Sequence, residues 1–287
     1  MPAARRGGRR PPEGLRRARS AARRHGRSDL GARLLAALPM VVLAIALVAL
    51  GGGIFAGGLF VLGVICLHEL FSMYDRARPA IFGAFVGLAG LITAAALGDG
   101  ATVLLALVCC VPVVFLLGLA QPRAAGVAGV TVALFGLVWI GMGFAHAVLL
   151  RDSVHGGGIV VLVLVATFIG DTGAYFGGRA LGRRKLAPTI SPNKTIEGLI
   201  AGIIAGTAAA WFVGLYQDWL SGTDALILGV AVAVIAPLGD LFESFVKREA
   251  GAKDSGRVFG AHGGALDRLD AVIFSVVAGY YVWQALL

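Results

Sequence analysis

Asp240, Glu243, Ser244 and Lys247 follow one another at helical spacing, so a helix would carry all four on one face. They lie in APLGDLFESFVKRE, at the end of a long apolar run, with Asp240 and Glu243 one to two turns inside it. An acid at that depth in lipid is costly and marks function more often than packing. Asp267 and Asp270 are three residues apart at the start of the next apolar run. Two carboxylate-bearing helix ends suit a hard divalent cation such as Mg²⁺, which takes one or two carboxylates and completes its shell with water and phosphate oxygens. Lys247, Arg248, Lys253 and Arg268 would then hold phosphates. Asp254 and Glu249 can equally be helix-end acids that balance these bases. In His262-Gly263-Gly264 the backbone N–H groups could approach a phosphate with His262 as donor, or His262 could be an ordinary loop histidine. The chain has no H-x-x-x-H metal spacing, no G-x-S-x-G and no P-loop lysine pattern.

A second group lies upstream. Asp171, in FIGDTGAYFGGR, precedes Arg179 by eight residues, which places it about 12 Å inside its apolar run. Thr167 is one turn deeper. The loop that follows ends in SPNKTIEG. Lys194 there is a point charge suited to a phosphate. Ser191 and Thr195 are either site residues or N-caps of the next helix, which Glu197 begins. Glu69, inside another apolar run, is either functional or paired with a nearby arginine.

These residues need elements to hold them, and composition says which. Of the 287 residues, 58% are apolar and 14% charged, with a mean hydropathy of +0.85. Nine apolar runs are long enough to span a bilayer: 34–50, 54–73, 80–97, 101–120, 125–150, 158–178, 196–216, 224–246 and 266–286. Lipid offers the backbone no hydrogen bonds, so these runs must be helices. The expected fold is all-α: a polytopic integral membrane protein of about nine transmembrane helices. Residues 1–30 read as a basic disordered tail, 31–150 as N-terminal membrane helices, and 151–287 as C-terminal membrane helices that carry the polar loops. The first run reads as a span and not a cleaved leader. Cys66, Cys109 and Cys110 all fall in apolar runs and read as packing residues. Gly198, Gly202 and Gly206 share a helix face and let a partner helix approach closely, within one protomer or in a homodimer.

With nine spans, Arg151 is the one Lys or Arg of 25 that falls on the side opposite the N-terminal segment. The positive-inside rule then puts the N-terminus and both long polar loops in the cytosol. The last polar loop therefore faces the compartment that contains nucleotides.

The stretch from Ser244 to Asp270 resembles the signature of the phosphatidate cytidylyltransferases (CDP-diacylglycerol synthases). Ser244, Val246, Lys247 and Arg248, then Lys253 and Asp254, then His262, Gly263 and Gly264, then Asp267, Arg268 and Asp270 stand at that family's spacing. GDTGAYFGGR and SPNKTIEG are similar to its other shared blocks. Gly260-Ala261 stands where the family usually has Pro-Gly, and Ala265 where it has a larger aliphatic. The resemblance implies transfer of the cytidylyl group of CTP to phosphatidate, giving CDP-diacylglycerol and pyrophosphate for phospholipid biosynthesis. It implies Mg²⁺, with a second cation left open. Asp240 and Asp267 would bind the metal, with Asp270 and Asp171 as further ligands. Lys247, Arg248, Lys253, Lys194 and Arg268 would clamp phosphates, assisted by His262, Ser191, Gly263, Gly264 and Asp254. The expected partners are CTP, phosphatidate and membrane lipids, with no nucleic acid. The expected location is the cell inner membrane, with the active site facing the cytosol.

Two alternatives remain open at this point. A CTP-dependent lipid or polyprenol kinase would need the same cytosolic nucleotide and metal. A membrane transporter can also carry intramembrane acids, but its charges should lie near the bilayer midplane.

Overall fold

The computed structural model describes residues 42–121, 126–256 and 263–287. Its contacts divide the chain into residues 1–46 and 47–287. Of the first unit only residues 42–46 are described, and they are helical. The basic tail expected over 1–30 lies outside the described residues.

The second unit is built of long helices: α1 Gly52–Met73, α2 Ile81–Leu97, α3 Gly100–Leu119, α4 Val127–Asp152, α5 Gly156–Leu181, α6 Ile196–Gly214, α7 Gly222–Glu249 and α8 Leu266–Leu286. Seven of them are long and apolar enough to cross a membrane, and α2 is shorter at 17 residues. Each expected run from 54 onward is therefore a helix, and the fold is all-α and polytopic. Leu67, Leu88, Leu137, Ile140 and Ile273 are fully or almost fully buried in the core between helices. The flanks remain apolar and exposed, as surfaces that face lipid must be.

The glycine face of α6 meets α5 of the same chain. A Cβ at Gly202 would stand 2.8 Å from the Gly170 carbonyl oxygen, and one at Gly206 2.7 Å from that of Ala166. At Gly198 it would stand 2.8 Å from the Ala174 oxygen. This is the close backbone approach that small residues permit, and it is spent inside one protomer.

One segment differs from expectation. The connection from α5 to α6 folds as a hairpin of β1 Lys185–Ala187 and β2 Ser191–Thr195. The strands pair antiparallel, with Lys185 opposite Thr195 and Ala187 opposite Ser191. Strands this short show no legible alternation, and Pro192 argues against one; a strand paired on a single side tolerates it.

Arg151 lies where α4 gives way to α5, at the end of the helices away from Asp240. Its Nε donates to the Val48 carbonyl at 2.7 Å. Nearby, His155 stacks on Trp219 at 4.3 Å, and the Trp283 indole donates to the Val154 carbonyl.

Candidate active site

At the other end, the C-terminal half of α5, the hairpin, the C-terminal half of α7 and the start of α8 come together. Asp171, Tyr175 and Arg179 recur every fourth residue on one face of α5. The hairpin supplies Asn193 and Lys194, and α7 supplies Asp240. These six line a cavity of about 540 Å³. The Lys194 ammonium lies 2.5 Å from Asp240 Oδ2. Arg179 donates to the Tyr175 hydroxyl at 3.1 Å. Pro237, which has no N–H to give the helix ladder, also lines the cavity one turn before Asp240.

Local capping holds the hairpin in place. Thr195 accepts from Gly198 N at 3.1 Å and so caps α6. Glu197 accepts from Arg183 N at 3.0 Å and Arg184 N at 3.2 Å, which fastens the entry to β1. Ser191 is half-buried at the start of β2.

The acids fall into an open set and a closed set. Asp171 is exposed and the Asp240 side chain is 35% exposed, and both face the cavity. Glu243 and Asp270 are buried, and the Asp267 side chain is only 13% exposed. Lys247 bridges the closed set, with its ammonium 2.6 Å from Glu243 Oε2 and 2.7 Å from Asp267 Oδ1. Asp267 also accepts from Ser255 N at 3.1 Å and Gly264 N at 2.7 Å. Its oxygens thus bind a lysine and a loop. The Asp270 backbone oxygen packs against Gly239, the residue before Asp240. Glu243 Oε1 is buried with no hydrogen-bond partner among the described residues.

The remaining sequence candidates are distributed around this core. Arg248 reaches the Ile190 and Ala252 carbonyls, both at 3.4 Å. Lys253, Asp254 and Arg268 are exposed. Gly263 has φ +82°, where an L side chain is strained. Gly264 leaves room for the Ser255 hydroxyl and the Glu69 carboxylate, and its N–H is taken by Asp267. His262 lies outside the described residues.

Sequence reasoning missed Tyr175, Arg179 and Asn193 as lining residues. The four-residue spacing from Asp171 carried the signal for the first two. Sequence reasoning also left open an arginine partner for Glu69; in the structure two backbone amides and a hydroxyl donate to it. Glu69 is 2% exposed and accepts from Ala265 N and Leu266 N at 2.9 Å each and from the Ser255 hydroxyl at 3.1 Å.

Among the described residues no three His, Cys, Asp or Glu form a ready metal cage. Two open carboxylates on adjacent helices still match Mg²⁺, which keeps most of its waters and takes the rest of its ligands from phosphates.

The family model described as the cytidylyltransferase family matches residues 31–286. The chain belongs to this family. Among its relatives, the phosphatidate cytidylyltransferase of Haemophilus influenzae is 44% identical over 131 residues, covering 44% of this chain and 46% of that protein. That of Helicobacter pylori is 42% identical over 120 residues, covering 41% and 44%. That of Brucella suis is 40% identical over 146 residues, covering 50% and 54%. The matched stretch thus spans about half the length of these cytidylyltransferases.

Proposed function

We propose that this cytidylyltransferase acts on CTP and phosphatidate, forming CDP-diacylglycerol and pyrophosphate. The observation that carries the reading is the cavity in which open acids, Asp171 and Asp240, stand beside Lys194 and Arg179 at the edge of a lipid-facing surface. The relatives named above are phosphatidate cytidylyltransferases.

The lipid phosphate is already an anion near neutral pH, so no serine or cysteine nucleophile is required. Its oxygen forms a bond to the α-phosphorus of CTP while the α–β phosphoanhydride bond breaks, and pyrophosphate leaves with the electron pair. The protein's part is positioning and charge neutralisation. Asp171 and Asp240 would hold Mg²⁺, with Asp270 behind them, and the bound ion would offset charge on the phosphates. Lys194, released from Asp240, and Arg179 would hold phosphate oxygens. Lys247 and Asp267 would shape the adjoining loop. By the positive-inside rule this end faces the cytosol, where CTP is found, in a bacterial inner membrane.

The test is pyrophosphate release by the detergent-purified chain given phosphatidate, CTP and Mg²⁺. Release that needs all three, with CDP-lipid as product, supports the reading. CDP with a phosphorylated lipid would identify a kinase instead.

A further inference from the structure

Helix α8 starts without a cap of its own. Its N-cap residue is Ala265, which makes no side-chain capping hydrogen bond. The free amides at that end are met by Glu69, which comes from α1, nearly two hundred residues earlier in the chain. A carboxylate is the group that a helix N-terminus favours. The same carboxylate takes the Ser255 hydroxyl, so it grips the polar segment on both sides of residues 257–262. Close approach is enforced on both sides as well. A Cβ at Gly256 would lie 2.5 Å from Glu69 Oε1, and a side chain at Gly264 would displace the carboxylate.

This grip bears on the cavity through α8. Leu266, fixed by Glu69, is one turn before Asp270. The Asp270 backbone oxygen packs against Gly239, where a Cβ would stand 2.5 Å from it. Gly239 is the neighbour of Asp240. The register of α8 against α7 at the level of Asp240 therefore depends on where α8 begins.

We infer that Glu69 is a positioning residue for the chemistry at Asp240 and Asp270, acting through the start of α8. The inference rests on the reaction proposed above. Glu69 would touch neither substrate. It sets the depth and register of the helix that brings Asp270 behind the open acids.

The test compares Glu69→Gln with Ser221→Ala. Ser221 caps the far end of α7, accepting from Asp224 N at 3.1 Å. Thermal unfolding, hydrogen exchange of a peptide covering 263–270, and kcat and KM for CTP are measured on each. An amide has one acceptor oxygen where Glu69 uses two, so Glu69→Gln should speed exchange over 263–270. A displacement of about 1 Å at a reacting centre lowers rate by about 100-fold; kcat should fall on that scale with KM for CTP little changed. Ser221→Ala should lower the unfolding temperature and leave kcat alone. Ser255→Ala, which removes one of the three bonds, should give a smaller loss of kcat and serves if Glu69→Gln does not fold. Normal kcat in folded Glu69→Gln, or a kcat loss matched by Ser221→Ala at equal destabilisation, overturns the inference. Wild type that releases no pyrophosphate overturns the reaction itself, and that result is distinct from either.

Discussion

Lys194 and Asp240 meet at 2.5 Å across the mouth of the cavity, tying the α5–α6 hairpin to α7. The lysine neutralises the acid. On the reading proposed above, nucleotide and metal would give both of them other partners. The pair would then be exchanged during binding, and its two members should not behave independently.

Lys194→Met should raise KM for CTP, and Asp240→Asn should reduce kcat by more than the roughly 10–100-fold typical of a residue behind the metal ligands. The double variant should be less impaired than the product of the single effects, since residues in direct contact couple. Strict multiplicativity in pyrophosphate-release assays would separate the two roles.

Asp171 and Asp270 should differ in kind. Asp171 is open to the cavity and Asp270 is buried. Asp171→Asn should abolish most turnover at any Mg²⁺ concentration. Asp270→Asn should shift the Mg²⁺ requirement upward by about 10–100-fold and recover rate at high Mg²⁺. A magnesium titration of both variants decides between this arrangement and one in which Asp270 is a direct ligand.

Asp267→Asn should act first on stability. It leaves Lys247 with Glu243 alone and weakens the hold on Ser255 and Gly264. Breaking a buried ion pair on one side destabilises by about 3–5 kcal/mol; the partial exposure of Asp267 puts the expectation at the lower end of that range. Thermal unfolding in detergent checks it. An Asp267→Asn protein as stable as wild type but inactive would return Asp267 to the metal.

Asp99 offers a pH test away from the site. It caps α3 by accepting from Thr102 N at 2.9 Å and the Thr102 hydroxyl at 2.8 Å. These bonds hold its carboxyl below the usual aspartate range. A depressed folded-state value means its contribution is present above the unfolded-state pKa, about 3.9, and is lost as pH falls through the folded value. Asp99→Ala should therefore melt below wild type at pH 7, with the gap closing as the pH drops through the acid range.

Much of the architecture was legible because apolar length is a strong signal: each run from 54 onward became a helix. Asp240 and Asp171 were legible because charge inside an apolar run stands out, and Lys194 because it is a base in the loop just before one. The hairpin was not, since its strands are too short for periodicity. Nor was the division of the acids. Asp240 and Glu243 are one turn apart on the same helix, yet one faces the cavity and the other is sealed against Lys247. Which acid stays open depends on the helices packed around α7, and sequence spacing carries no record of that. Glu69 was ambiguous for the same reason: two of its three partners are distant backbone amides, which leave no side-chain pattern.

Tyr175 lines the cavity and is 59% exposed, and Phe168 and Phe176 beside it on α5 are 50% and 63% exposed. The flank of the site is thus continuous with the hydrocarbon. A ligand that arrives along that flank is counted per lipid molecule and not per litre. Its effective dose is a mole fraction in a two-dimensional solvent. Diluting such a ligand with inert lipid, at constant bulk amount, should slow the reaction as surely as lowering the nucleotide does.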